Sequence, residues 1–181
     1  MKILLAVTGG IAAYKACSLT SVLDSKGHEV QCVMTDKAQE FISKMSLAAL
    51  SHNHVLTNED EWNCTDGKIP HIYYTQDWKP DIFIIAPATA NTIGKISMGL
   101  ADEIVSCMAL ACPNDVPRLV FPSMNTIMLE KNITKSNLKN MELNGWIVGD
   151  TQEKKLACGI VGKGGLEKTK IIVEMIEEAI K

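Results

Sequence analysis

The sequence contains no Cys-x-x-Cys pair, no basic stripe and no run near the roughly 20 apolar residues of a membrane span. The first absence leaves no paired-thiol metal or redox motif. The second gives no surface for nucleic acid, since 18 basic and 21 acidic residues are mixed along the chain for a net charge of −3. The third leaves no spanning helix. The apolar run Ile3–Val7 is too short for the core of a secretory signal and no small-residue cleavage site follows it, so a cytoplasmic location is expected. Internal repeats and low-complexity linkers are also missing, and 181 residues suffice for one large core, so residues 1–181 are read as a single domain. In a reducing cytoplasm, Cys17, Cys32, Cys64, Cys107, Cys112 and Cys158 are expected to be small buried hydrophobes, unless one lies in a Gly-rich polar loop.

What is present is an alternation of short β-branched runs with stretches of helical periodicity, the pattern of βα units on a parallel sheet. Strands are expected at Lys2–Val7, Glu29–Met34, Asp81–Ala86 (stopped by Pro87), Arg118–Phe121 and Trp146–Val148. Helices are expected over Ile11–Lys26, from an Asp36 N-cap to about Leu50, and over Asn91–Met98, Ala101–Ala111, Glu130–Asn144 and Leu166–Ile180. Between them, Ser51–Pro70 is polar, with at most a short strand near His54–Thr57, and Gly149–Gly165 reads as a loop. The fold class is α/β: one doubly wound parallel sheet in a flavodoxin-like or Rossmann-like three-layer sandwich. Such sheets bind ligands at the carboxyl ends of their strands, which selects the loops Thr8–Ile11, Thr35 onward, Pro87–Thr92 and Pro122–Met128.

Each loop has a chemical and a plain reading. Gly9, Gly10 and Ile11 open the first helix, where backbone N–H groups face an anion, or they are an ordinary βα turn. A third glycine at dinucleotide spacing is missing and Met34-Thr35 stands where an acidic residue would hold a ribose, so a mononucleotide fits better than NAD. Thr89, Ala90, Asn91 and Thr92 supply hydroxyls, an amide and small side chains suited to a phosphate, or a helix cap, and one geometry serves both. Asn125 orients a substrate carboxylate or makes a turn; Met124 and Met128 line a flat ring or pack the core. His52 and His54 have no third ligand at a suggestive spacing, so no metal site is expected.

Taken together, Pro87–Thr92 (Pro-Ala-Thr-Ala-Asn-Thr), Pro122–Leu129 (Pro-Ser-Met-Asn-Thr-Ile-Met-Leu) and Leu156–Leu166 resemble the motifs of the homo-oligomeric flavin-containing cysteine decarboxylases. The resemblance covers nearly the whole chain. It implies FMN as cofactor, held by Gly9, Gly10, Ile11, Thr35, Thr89, Ala90, Asn91, Thr92 and Met124. It further implies His71, in His71-Ile72, as the catalytic base, Asn125 as the carboxylate and amide contact, and Cys158 in Ala-Cys-Gly as the proton donor. Met128, Ala157 and Lys163 would join Asn125 in holding substrate. Three positions depart from the pattern: Leu129 replaces Trp, Ile160 replaces Asp and Gly165 replaces Arg, and Lys163 is the substitute on offer for a lost phosphate contact.

The activity so implied is decarboxylation of phosphopantothenoylcysteine to phosphopantetheine, by oxidation to a thioaldehyde, loss of CO2 and re-reduction of the enethiol. The resemblance also implies a homo-oligomer, trimer or dodecamer, and a separate ligase polypeptide for the preceding step. Three alternatives stay open: a lantibiotic-type peptidyl-cysteine decarboxylase, disfavoured by Cys158; a prenyl-transferring flavin protein, disfavoured by Met124-Asn125; and a non-catalytic flavin-binding subunit, which would not need His71.

Overall fold

A strand buried on both faces is apolar without interruption. The residues Ile-Leu-Leu-Ala-Val of β1 (Lys2–Val7) and all seven of β3 (Ile82–Ala88) meet that condition. The computed structural model describes residues 1–63, 67–157, 159 and 161–181. It places β1 and β3 at the centre of a five-stranded parallel sheet, with β2 (Glu29–Met34), β4 (Arg118–Pro122) and β5 (Trp146–Val148) outside them in the order β2-β1-β3-β4-β5.

Alternation along the strands divides the core between two faces. Ile3, Leu5 and Val7 face one layer, which includes Leu19 and Leu23 of α1 (Tyr14–Ser25), Leu47 of α2 (Lys44–Ser51) and Ile172 and Ile176 of α9 (Thr169–Ala179). Leu4 and Ala6 face the other, with Ile93 of α5 (Ala90–Ser97), Met108 of α6 (Ile104–Ala111) and Met141 of α8 (Asn132–Leu143). The flavodoxin-like three-layer sandwich read from the sequence is therefore the architecture observed. Strand order reverses direction between β1 and β3, which puts the ligand crevice over their carboxyl ends.

Several boundaries differ from those expected, each for a local reason. The strand does not stop at Pro87. It continues to Ala88 through a cis Ala86–Pro87 peptide, with a register shift against β4 that accommodates the missing donor. The helix expected from Asp36 to Leu50 is two pieces: a 3₁₀ segment Asp36–Glu40 capped by Thr35, and α2 capped by Ser43, whose hydroxyl accepts from Met45 N–H. The first helix begins with a 3₁₀ turn, Ile11–Ala13, and the helix expected over Glu130–Asn144 is α8, preceded by a separate short helix, α7 (Thr126–Glu130). The polar stretch after Ser51 contains α3 (Asn58–Trp62), and Leu56 bridges Val33 at the edge of β2 where a short strand was expected. Next come α4 (Pro70–Ile72) and a π turn, Tyr73–Asp77.

The largest difference lies in Gly149–Gly165. It is no loop but an antiparallel hairpin, β6 (Thr151–Lys155) and β7 (Val161–Leu166), and Leu166 closes the strand instead of opening α9. The buried cysteines behave as small hydrophobes: burial pushes the Cys32 and Cys112 thiols up to about 11.

Candidate functional site

The loops after β1 and β3 are fastened together by one hydroxyl. Thr8 Oγ1 donates to Pro87 O at 2.8 Å and accepts from Thr89 N–H at 3.0 Å, inside the core. Thr89 in turn caps α5, its Oγ1 accepting from Thr92 N–H at 3.3 Å. The first N–H groups of α5 and of the Ile11–Ala13 turn have no partner within their own helices, so two sets of donors open onto the same crevice.

Over this crevice lies the hairpin, tied to the β4 loop by main-chain carbonyls. Met124 N–H donates to Gly164 O at 3.0 Å and Thr126 Oγ1 to Lys163 O at 2.7 Å. Gly164 has φ +128°, and a Cβ there would lie 2.2 Å from Met124 O, so no other residue allows this approach.

Together these segments enclose a cavity of about 840 Å³, the size of a cofactor site. Gly9, Gly10, Ile11, Thr35, Thr89, Ala90, Asn91, Thr92, Met124, Asn125, Met128 and Ala157 all line it, so every cofactor residue read from the sequence is brought to one place. Asn125 makes the turn expected of it and also stands at the cavity wall. Its Oδ1 accepts from Ile127 N–H at 2.9 Å and caps α7.

Two expected site residues lie elsewhere. Lys163 is exposed on the hairpin, outside the cavity lining, and contributes only its carbonyl to the Thr126 tether. His71 sits on α4, also outside the lining. There it is held by Glu61, whose side chain is 1% exposed: one carboxylate oxygen accepts from the His71 backbone N–H at 3.1 Å and the other bonds Nδ1. Cys158 lies outside the described residues, and its neighbours Leu156 and Ala157 line the cavity.

Sequence reading missed Lys15, Lys154, Ser123 and Glu103, which also line the cavity. A signal existed for Lys15, because a cation in the first turn of a helix opposes the helix dipole and needs a reason to be there. For Glu103 there was none. Burial, opposed by the Lys95 ammonium, holds its carboxyl above the usual range. Its Oε1 is buried without a hydrogen-bond donor among the described residues, Lys95 Nζ being 3.8 Å away. A buried acceptor at a cavity wall fits a ligand that brings hydroxyl or ring N–H donors. Threonine hydroxyls, helix-start amides and lysines suit an anionic tail, and Ile11, Met124 and Met128 suit a flat apolar ring. A flavin nucleotide has all of these parts.

A family model described as Flavoprotein matches residues 1–181. The chain is 41% identical over 182 residues to the probable phosphopantothenoylcysteine decarboxylase of Streptococcus mutans, covering 99% of this chain and 98% of that one. It is also 41% identical to the coenzyme A biosynthesis bifunctional protein CoaBC of Bacillus subtilis, covering 97% of this chain and 42% of that longer protein. Among solved structures, a PPC decarboxylase mutant complexed with pantothenoylaminoethenethiol aligns with TM-score 0.89 at 32% identity, over 98% of this chain and 96% of that one. The FMN binding protein AtHal3 aligns with TM-score 0.85 at 32% identity, over 98% and 95%.

Proposed function

The chain belongs to the flavoprotein family, among the flavin-containing cysteine decarboxylases, and from that premise we propose that it uses FMN to decarboxylate phosphopantothenoylcysteine to phosphopantetheine in coenzyme A biosynthesis. The observation that carries this reading is the full-length likeness to the Streptococcus mutans relative, joined to a cavity lined by Gly9, Gly10, Thr89–Thr92, Met124 and Asn125.

A carboxylate on an amine-bearing carbon has no electron sink. When bound, an oxidised flavin supplies a reversible two-electron acceptor beside the thiol-bearing carbon, and the thioaldehyde formed on the substrate gives the departing carboxyl group's electrons a place to go. The protein's task is to bind, orient and move protons. Gly9, Gly10 and Thr89–Thr92 seat the phosphate end of the cofactor, while Met124 and Ile11 face its ring. Asn125, at the cavity wall beside Met124 and Met128, is assigned the substrate carboxylate. Glu61 fixes the proton of His71 on Nδ1 and leaves Nε2 as the atom that takes the thiol proton. Cys158 is assigned the return of a proton to the enethiol.

His71 does not line the cavity of its own chain, and Ile69 and Ile72 beside it are 48% and 37% exposed. Both facts favour a homo-oligomer, trimer or dodecamer, in which His71 of one copy serves the cavity of the next. The bifunctional Bacillus subtilis relative, of which this chain matches 42%, supports a pathway link to the ligase step.

Anaerobic incubation of the purified yellow protein with phosphopantothenoylcysteine tests the proposal. Release of CO2 with phosphopantetheine is expected, and His71→Asn should lose at least ~10²-fold in rate, the usual worth of a positioned base. A colourless protein that refuses FMN, or a yellow one inert toward the substrate, would sink it. Accumulation of enethiol by the wild type would instead favour the peptidyl-cysteine class.

A further inference from the structure

Gly165 stands where the family pattern has arginine, and the structure shows what occupies that space. A Cβ at Gly165 would lie 2.6 Å from Lys154 Cε and 3.2 Å from its Cδ and Cγ. The stem of Lys154 crosses directly over the glycine, so a side chain at 165 and this path for Lys154 are mutually exclusive. One residue further, Leu166 O accepts from Lys15 Nζ at 3.2 Å. The start of α1 and the base of the hairpin thus bring two ammonium groups to one wall of the cavity, which both side chains line. Lys163, the cation that the sequence offered as a substitute, is outside it.

Neither Lys15 nor Lys154 makes an ion pair among the described residues, although other lysines do so with Glu177, Glu40 and Asp102. Glu167 is near enough to favour the charge of Lys15, but burial and the neighbouring Lys154 ammonium outweigh it and bring the Lys15 pKa down to about 8. Two like charges held together at a cavity wall are unfavourable until an anion joins them. Mixed backbone and lysine donors suit a dianion with several acceptor oxygens.

We propose that Lys15 and Lys154 form the seat for the phosphate monoester of the substrate, with Gly165 kept bare so that Lys154 can reach it. This rests on the function proposed above for the substrate's identity. The chemistry recognised is a phosphate monoester, which FMN also carries. However, the cofactor's phosphate has its own seat in the helix-start amides after β1 and β3. Lys154 belongs to the hairpin, two residues before Leu156, and Lys15 of α1 points to the same hairpin, donating to Leu166 O.

The test uses the FMN-loaded protein and two matched pairs of compounds. For turnover, kcat/KM is compared for phosphopantothenoylcysteine and for its unphosphorylated analogue, pantothenoylcysteine. For binding alone, phosphopantetheine is compared with pantetheine by calorimetry. Lys154→Ala is expected to cut the preference for the phosphorylated member of each pair by about 10- to 100-fold, the scale of a lost charge-assisted hydrogen bond, and Lys154→Arg should restore much of it. Lys15→Met should act in the same direction. A second set of titrations compares FMN with riboflavin, and that preference should not change in any variant.

An equal loss for both members of a pair would overturn the proposal, since that is a general packing defect. A fall in the preference for FMN over riboflavin would assign the lysines to the cofactor's phosphate and overturn it too. If the wild type turns over neither substrate but still binds phosphopantetheine over pantetheine in a Lys154-dependent way, the seat stands and the proposed reaction falls.

Discussion

Every residue of β3 is buried and none of its seven side chains is charged, whereas β6, Thr-Gln-Glu-Lys-Lys, has only Thr151 buried and alternates half-buried with exposed positions after it. The central sheet is held by apolar burial on both faces, a force that acts along its whole length. The hairpin is held at a few points: the Met124–Gly164 and Thr126–Lys163 hydrogen bonds and the fit of Gly164 against the β4 loop. One region fixes where the cofactor loops sit. The other closes the cavity over them and carries Ala157 and Lys154, the residues assigned to substrate. Damage to the first should therefore be global, and damage to the second should fall mainly on turnover.

The sharpest break between the two is expected at Ile84, fully buried in β3. Ile84→Ala should cost about 2–5 kcal/mol of folding stability, read as a lower denaturation midpoint, and should weaken flavin retention with it. Next comes Gly164→Ala, which places a Cβ on Met124 O at a φ of +128°. The strain, on the order of 1–3 kcal/mol, should fall on the hairpin and on Met124 beneath it: kcat/KM drops most, FMN affinity weakens less, and the unfolding midpoint falls less than for Ile84→Ala. If Gly164→Ala unfolds the protein as readily as Ile84→Ala, the two regions are one cooperative unit and the contrast is wrong. Thr126→Val removes only the tether to Lys163 O and should cost about 1 kcal/mol. Hydrogen exchange would detect it as faster opening of β7 amides with those of β3 unchanged.

The smallest effect concerns Lys15, whose pKa is lowered from 10.5 to about 8. Between those values the folded state binds fewer protons than the unfolded one, so stability rises with pH across that window. The cost is fully present below pH 8. Subtracting the pH profile of Lys15→Met from that of the wild type should isolate this slope, and a flat difference would remove the like-charge account of the site.

The same contrast explains what could be read from the sequence. All five sheet strands announce themselves as local apolar runs, because a strand covered on both faces needs no information from elsewhere. The motif loops at their ends follow from that register, which is why eleven separate residues of these loops come together around one cavity. The hairpin gave no such signal. Val-Gly-Lys-Gly-Gly-Leu has low strand propensity, and its pairing is decided by contacts with Met124 and Thr126, some 40 positions earlier. Lys154 was invisible for the same reason, since its position depends on the bare backbone of Gly165 across the ladder. Pro87 misled in the opposite way: a local rule for ending strands yielded to the pairing of Ala88 with Pro122.

The tethers that hold the hairpin down end on the main-chain oxygens of Lys163 and Gly164. A carbonyl is the same whatever side chain its residue bears. Where no glycine is required by a close contact, as it is at Gly162, Gly164 and Gly165, side chains on this wall can change without loss of its attachment. Selectivity can in this way wander among thiol-bearing acids while the redox platform beneath stays as it is.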